Sequence, residues 1–214
     1  MTVLDFYLVR HGQSYGQSLV GGVELDRLPA SQRPPGCETG QREDDWRLTP
    51  LGQRQAELLG ESLAQTPFDA IYCSPLERAR ATARAIAERQ PRPVPVHIMH
   101  DLIEIGDYGE ETPEEIHART LRAAAAIREQ SPIGARVLLA AHAAFNNRLL
   151  TALLGLPALK TSFWRFGQDN TGLSRVIFSE GVPSRLYCMN DLSHLTPEVR
   201  EETINGNLRA LYKK

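Results

Sequence analysis

Arg10 and His11 stand together at the end of an apolar run, Val3–Val9, and are followed by Gly12, Gln13 and Ser14. A strand that ends in Arg-His-Gly presents a fixed cation and an imidazole at the end of a sheet. The glycine permits a tight turn and close approach of a ligand to the backbone. Such a site suits an anion, phosphate above all. Further groups fall at equivalent places along the chain. Ser74-Pro75-Leu76-Glu77-Arg78 follows the run Ala70–Cys73, Leu102-Ile103-Glu104 follows Val94–Met99, and His142-Ala143 follows Val137–Ala141. Ligands of open parallel sheets bind beyond the carboxyl ends of the strands. Four successive strands would thus bring Arg/His, Arg, Glu and His to one rim. Phosphoryl transfer without a metal needs this set: a nucleophile, cations for the phosphoryl oxygens, and a carboxylic acid for the leaving group.

Each residue also has a plainer role open to it. Arg78 can pair with Glu77 or Asp69 on a helix surface, where ion pairs contribute little. His142 can be a buried histidine bonded to a carbonyl. Glu110 or Glu111 replaces Glu104 as the acid if the loop turns differently. His97 and His100 form H-x-x-H at a strand end, where that spacing splits them between faces, so no metal site is expected there. His117 and His194 are expected at the surface or in packing, and Cys73 as a small core residue.

The elements that would carry these groups alternate. Strands are expected at Val3–Val9, Ala70–Cys73, Val94–Met99, Val137–Ala141, Leu173–Phe178 and Leu186–Met189. Thr49-Pro50 is an N-cap followed by proline at the first helical position, with Ala56, Leu59 and Leu63 as the apolar stripe beyond. Pro75 is expected to open a second helix running to about Arg89. Thr112-Pro113-Glu114-Glu115 has the form of a capping box before a third. A fourth follows His142 and ends near Gly155. Strand–helix alternation with crossovers of this length implies a largely parallel sheet covered by helices on both faces, an α/β class fold.

Composition bounds the rest. A chain of 214 residues, 42% hydrophobic, is long enough for one domain spanning 1–214 with an elaborated loop at about 19–46. A net charge of −2 argues against a general nucleic-acid binder. Any anion must be held locally, and by arginine, because the lysines are Lys160, Lys213 and Lys214 alone. Cys37, Cys73 and Cys188 are odd in number and widely spaced, against a disulfide framework or zinc site. No segment reads as a leader or a membrane span, so the expectation is a cytoplasmic protein.

Five segments carry a resemblance in the right order. They are Leu8-Val9-Arg10-His11-Gly12-Gln13-Ser14, Leu48 to Ala56, Ser74-Pro75-Leu76-Glu77-Arg78-Ala79 with Thr82-Ala83, the Glu104 segment, and His142. Together they resemble the histidine phosphatase superfamily, the phosphoglycerate mutase-like proteins. Asn170 to Ser174 and Asn190 to Leu195 resemble later parts of that group more loosely. The resemblance implies a three-layer α/β/α sandwich with a mostly parallel central sheet. It implies that His11 becomes phosphohistidine, that Arg10, Arg78 and His142 hold the phosphoryl oxygens, and that Glu104 is the proton donor. No cofactor is implied, and the partner is a small phosphorylated metabolite rather than nucleic acid or membrane.

The chain departs from the family pattern in three places. Gln17 stands where asparagine is usual, so its phosphate contact is in question. Ala143 and Ala144 replace the glycines that usually follow the second histidine, although the Ala143 N–H can still face an anion. The tryptophan- and asparagine-bearing extension of true mutases is missing after Tyr15, which favours a phosphatase over phosphoglycerate mutase-type transfer or a non-catalytic phosphate- or phosphoprotein-binding module. The segment Leu19–Trp46, with Arg27, Arg33, Arg42 and Trp46, leaves the strand of His11 and is expected to cap the pocket and select the substrate.

Overall fold

Residue alternation along the first strand explains the layering. In the computed structural model, which describes residues 3–15, 19–20, 23–24, 46–106, 110–158 and 166–211, that strand is β1, Val3–Arg10. Leu4, Phe6 and Leu8 face one way and Tyr7 and Val9 the other, as the two-residue period of a strand requires. Both sets are buried, so the strand is covered on both faces.

Two short strands, β2 (Leu19–Val20) and β3 (Val23–Glu24), pair antiparallel as a hairpin apart from the main sheet. They lie where the sequence was read as a loop without periodicity. Residues 25–45 of that segment, with Arg27, Arg33 and Arg42, lie outside the described residues, as does Gln17 before it. Helix α1 (Pro50–Ser62) then leads to β4 (Ala70–Cys73), α2 (Glu77–Ala87) and β5 (Val96–Ile98). A short 3-10 turn at His100–Leu102 precedes α3 (Pro113–Gln130), β6 (Arg136–Ala141) and α4 (Ala143–Leu153). The chain continues through β7 (Leu173–Ser179), β8 (Arg185–Asp191) and α5 (Pro197–Leu211).

The six-stranded sheet has the order β5-β4-β6-β1-β7-β8. Neighbours from β5 to β1 are parallel, while β7 runs antiparallel to β1 and β8 antiparallel to β7. Only β7 therefore opposes the common direction, and the sheet is mostly parallel. On one face Leu59, Leu63, Ala83 and Ile86 of α1 and α2 pack on Tyr7, Val9, Ile71 and Leu138. On the other, Ala123, Ile127, Phe145, Leu149 and Leu150 of α3 and α4 pack on Leu4, Phe6, Leu8 and Leu139. The fold is the expected three-layer sandwich. Truncating one such residue, Leu59 for example, costs about 2–5 kcal/mol.

Local signals acted where they were strong. The Thr49 hydroxyl accepts from Gly52 N, with Pro50 opening α1. Thr112 and Glu115 form the reciprocal capping box of α3. Helix α2, by contrast, begins two residues later than Pro75. Leu76 is its extended N-cap, and the Ser74 hydroxyl accepts from Leu76 N at 3.3 Å, so Ser74 to Leu76 form a separate turn. Strand β5 is shorter than Val94–Met99 and its side chains are exposed, as befits an edge. Helix α5 is a further element that sequence reading missed, although Thr196-Pro197 repeats the cap of α1 and Thr196 Oγ1 accepts from Val199 N.

Candidate active site

The rim forms where β1, β4 and β6 end. His11 is 2% exposed, and its backbone N–H donates to Ala141 O at 3.0 Å, tying the end of β1 to that of β6. The next residues turn sharply under α1. A Cβ on Gly12 would lie 2.4 Å from Gly52 O, and one on Gly52 would lie 1.9 Å from Gln13 O. The backbones touch, so glycine is required on both sides of the contact. Thr82 Oγ1 of α2 accepts from Gly12 N at 3.0 Å, and Gln55 Oε1 of α1 accepts from Gln13 N at 2.8 Å. Gln55 Nε2 donates in turn to Thr203 Oγ1 of α5 at 2.7 Å. The loop behind the imidazole is thus held by three helices.

His11 Nδ1 lies 2.7 Å from Gly12 O. A carbonyl only accepts, so Nδ1 carries the hydrogen and the lone pair sits on Nε2. Burial holds the imidazole well below its ordinary pKa of 6.5, and Arg78 and Arg10 push it the same way. The His142 ring stands 5.1 Å from that of His11 at 62°. Burial, with His11, Arg78 and Arg10 beside it, keeps His142 neutral as well. Its Nε2 lies 2.8 Å from Ser74 Oγ, and its buried Nδ1 has no hydrogen-bond partner among the described residues.

Arg10 and Arg78 are both 8% exposed. Burial lowers the Arg10 guanidinium to about 10, with Glu104 and Asp169 opposing that shift and Arg78 adding to it. Arg10 Nη1 donates to Gln168 O at 2.5 Å. The surface pairing considered for Arg78 goes elsewhere: Glu77 pairs with Arg80 and Arg84, and Asp69 with Arg92.

Glu104 reaches the same place from the loop after the 3-10 turn. Its carboxylate accepts from the backbone N–H groups of Ile105 (2.9 Å), Ala144 (3.2 Å) and Phe145 (3.0 Å), the last two at the N-terminus of α4. Burial raises its pKa above the ordinary 4.5, against the opposing pull of those amides and of Arg10. The alternatives part from it here. Both Glu111 oxygens accept from Arg119, at 2.7 and 2.6 Å, and Glu110 is exposed. A cavity of about 540 Å³ opens beside this loop, lined by Ile105, Gly106, Glu110, Glu111 and Thr112. Ala143, buried, is the first residue of α4.

A backing layer stands behind Arg10 and His11 that sequence reading did not assign. Asn170 Nδ2 donates to His11 O and Thr171 N to Arg10 O, each at 3.0 Å. Thr171 adopts φ 56°, which costs a β-branched residue about 1–3 kcal/mol. Its hydroxyl donates to Asn170 O, and His194 Nε2 lies 3.0 Å from it as donor. Burial keeps His194 neutral, with a pKa of about 4. Ser74, Thr82 and Asn170 all lay inside the segments that carried the resemblance, which was the available signal. His97 instead stacks on Tyr72 at 5.1 Å, and no cluster of metal-ligating side chains occurs among the described residues. Gln17 lies outside them.

Comparison with known proteins gives this rim its context. The profile of the histidine phosphatase superfamily (branch 1) matches residues 6–110 and 106–191. An uncharacterized phosphatase of Bacillus subtilis, PhoE, is 30% identical over 178 residues, covering 73% of this chain and 88% of its own. The adenosylcobalamin/alpha-ribazole phosphatase of Salmonella typhimurium is 36% identical over 107 residues, covering 49% of this chain. The match spans only 43% of that relative's length. Among solved structures, a mycobacterial hydrolase superposes with a TM-score of 0.69 at 20% identity, covering 96% of this chain and 98% of its own. At that identity the likeness is one of fold. The profile and the Bacillus relative together establish that this chain belongs to the histidine phosphatase superfamily.

Proposed function

We propose that the chain is a metal-independent phosphomonoesterase that works through a phosphohistidine on a small phosphorylated metabolite. The observation that carries this reading is the tautomer of His11. With Nδ1–H committed to Gly12 O, Nε2 offers its lone pair, and burial, reinforced by Arg78 and Arg10, keeps the ring neutral. Arg10, Arg78 and His142 hold the phosphoryl oxygens. In this reading the Ser74 hydroxyl gives its hydrogen to His142 Nε2, because Nδ1 is the nitrogen left open for a phosphoryl oxygen among the described residues. The His142 proton then sits on Nδ1 and is directed to a phosphoryl oxygen. Ala143 N, at the start of α4, adds a donor of the kind that helix N-termini offer anions.

The reaction runs in two steps. His11 Nε2 attacks phosphorus, the P–O bond to the leaving alcohol breaks, and the Glu104 carboxyl hydrogen passes to the departing oxygen. Water then attacks the phosphohistidine, the Glu104 carboxylate takes its proton, and inorganic phosphate leaves His11 free. A dianionic substrate raises the Glu104 pKa further and so favours the acid form needed first. The cavity beside Glu104 lies where a leaving alcohol has room. The name of the Salmonella relative, adenosylcobalamin/alpha-ribazole phosphatase, points to the same substrate class.

The decisive experiment is His11→Ala, assayed on an aryl phosphate in the presence of EDTA, with acid-labile phosphate labelling as the second readout. Wild type should turn over and label in EDTA, and the variant should do neither while its melting temperature stays close to that of wild type. Turnover by the variant would move the nucleophile elsewhere. Loss of wild-type activity in EDTA, restored by a divalent ion, would replace the arginine clamp with a metal. Phosphoglycerates in the substrate panel separate a mutase, which returns an isomer, from a phosphatase, which releases phosphate.

A further inference from the structure

We propose that Arg119 and Glu111 are positioning residues for Glu104, forming a clamp that fixes the general acid from both ends of its loop. This rests on the reading of Glu104 as the proton donor.

The Arg119 side chain, in the second turn of α3, is 1% exposed and that of Glu111 is 8% exposed. Nη1 donates to Asp101 O (2.9 Å) and Ile103 O (2.8 Å), the carbonyls just before Glu104. Nε and Nη2 donate to the two Glu111 oxygens, beyond the loop. The guanidinium carbon lies 5.4 Å from the centre of the Phe145 ring. Phe145 is the residue whose backbone N–H holds Glu104 Oε1. One planar group thus touches the chain before the acid, the chain after its loop, and a residue that binds its carboxylate.

Stability alone does not account for the pair. Buried ion pairs are often replaceable by apolar residues without loss of stability, because desolvation offsets their attraction. What the guanidinium supplies is geometry: rigid, forked donors that a lysine, with one point charge, does not reproduce. Proton transfer is sensitive to displacements of about 1 Å.

The test uses kcat/KM on an alkyl phosphate, glycerol 2-phosphate, and on 4-nitrophenyl phosphate. Wild type, Glu104→Gln, Arg119→Lys and Glu111→Gln are compared, together with the two clamp variants in the Glu104→Gln background. Each is assayed below its melting transition. The clamp variants should lower alkyl cleavage about 10- to 100-fold and aryl cleavage by no more than about threefold, because a good leaving group needs little protonation. In the Glu104→Gln background they should change the alkyl-to-aryl ratio no further. Equal losses on both substrates, or a further change of ratio in that background, would overturn the clamp while leaving Glu104 as the acid. A wild-type ratio in Glu104→Gln itself would instead sink the assignment of Glu104, and the clamp with it. Chains that no longer unfold cooperatively would assign the pair to the fold and also overturn the proposal. Glu111→Gln keeps an amide oxygen toward Arg119 Nε and is the variant least exposed to that outcome.

Discussion

The two ends of the central sheet use the same side chains to opposite effect. At the amino end of β1, Asp5 accepts from Arg175 Nε and Nη2 at 2.9 Å each and from Arg136 Nε at 3.3 Å. Arg175 also lies over the rings of Tyr7 and Tyr187. The hydrogen bond to Asp5 pushes the pKa of Arg175 up, which means that its charge is stabilised there. At the carboxyl end the shifts run the other way. Arg10 is pulled down to about 10, and both His11 and His142 fall well below 6.5, with Arg78 adding to each shift. One end is a finished ion cluster. The other has gathered basic groups whose charged forms are disfavoured by burial first and by one another second, and a dianion that joins them would offset both. Charge type alone does not identify a site; the sign of the shift does.

The largest effect that would test this contrast is Arg78→Ala. Loss of one guanidinium from the rim should lower kcat/KM about 10²- to 10³-fold, as for other preorganised charge stabilisers. The rise in melting temperature that inorganic phosphate gives the wild type should shrink. A variant that melts much lower in the absence of phosphate would make the rim a structural cluster like the other end.

The pH profile sharpens the contrast next. His11 must be neutral and Glu104 protonated, so kcat/KM falls as pH drops through the His11 pKa and as it rises through that of Glu104. Burial shifts the first down from the ordinary 6.5 and the second up from the ordinary 4.5, so the acidic limb should lie below the usual histidine range and the basic limb above the usual carboxylate range. On alkyl phosphates Glu104→Gln should remove the basic limb and keep the acidic one. A basic limb that survives the substitution belongs to another group.

Asp5→Asn should give the smallest effect and a reciprocal one. It should cost about 1–2 kcal/mol of stability, a fall of roughly 2–8 °C in melting temperature, and leave kcat/KM per folded molecule unchanged. Lost activity without lost stability would couple the two ends of the sheet.

What could be read in advance followed the range of each interaction. Thr49-Pro50 and Thr112-Pro113 were legible because a cap is decided within four residues. The central strands β1, β4 and β6 were legible because both of their faces are covered and their apolar runs are continuous. Pro75 misled by two residues because a proline that suits a helix start also suits the turn before it. The rim was legible as a set, since strand ends converge in a parallel sheet, but its supports were not. Nothing local announces that Arg119 binds Glu111 rather than solvent, or that Asn170 reaches His11 O across 159 positions of chain. Thr171 at positive φ contradicts its own propensity and is held there by its bonds to Arg10, Asn170 and His194.

The link from Gln13 through Gln55 to Thr203 has a consequence for how the protein is made. His11 is made long before residue 203, yet Gln55, which holds the peptide two residues beyond it, acquires its amide partner only when residue 203 has emerged. Until then that amide is left to water, and Gln55 lacks the bond that ties it to α5. The residue proposed as nucleophile is therefore encoded well before the last anchor of its loop, and that anchorage is complete only once α5 has packed.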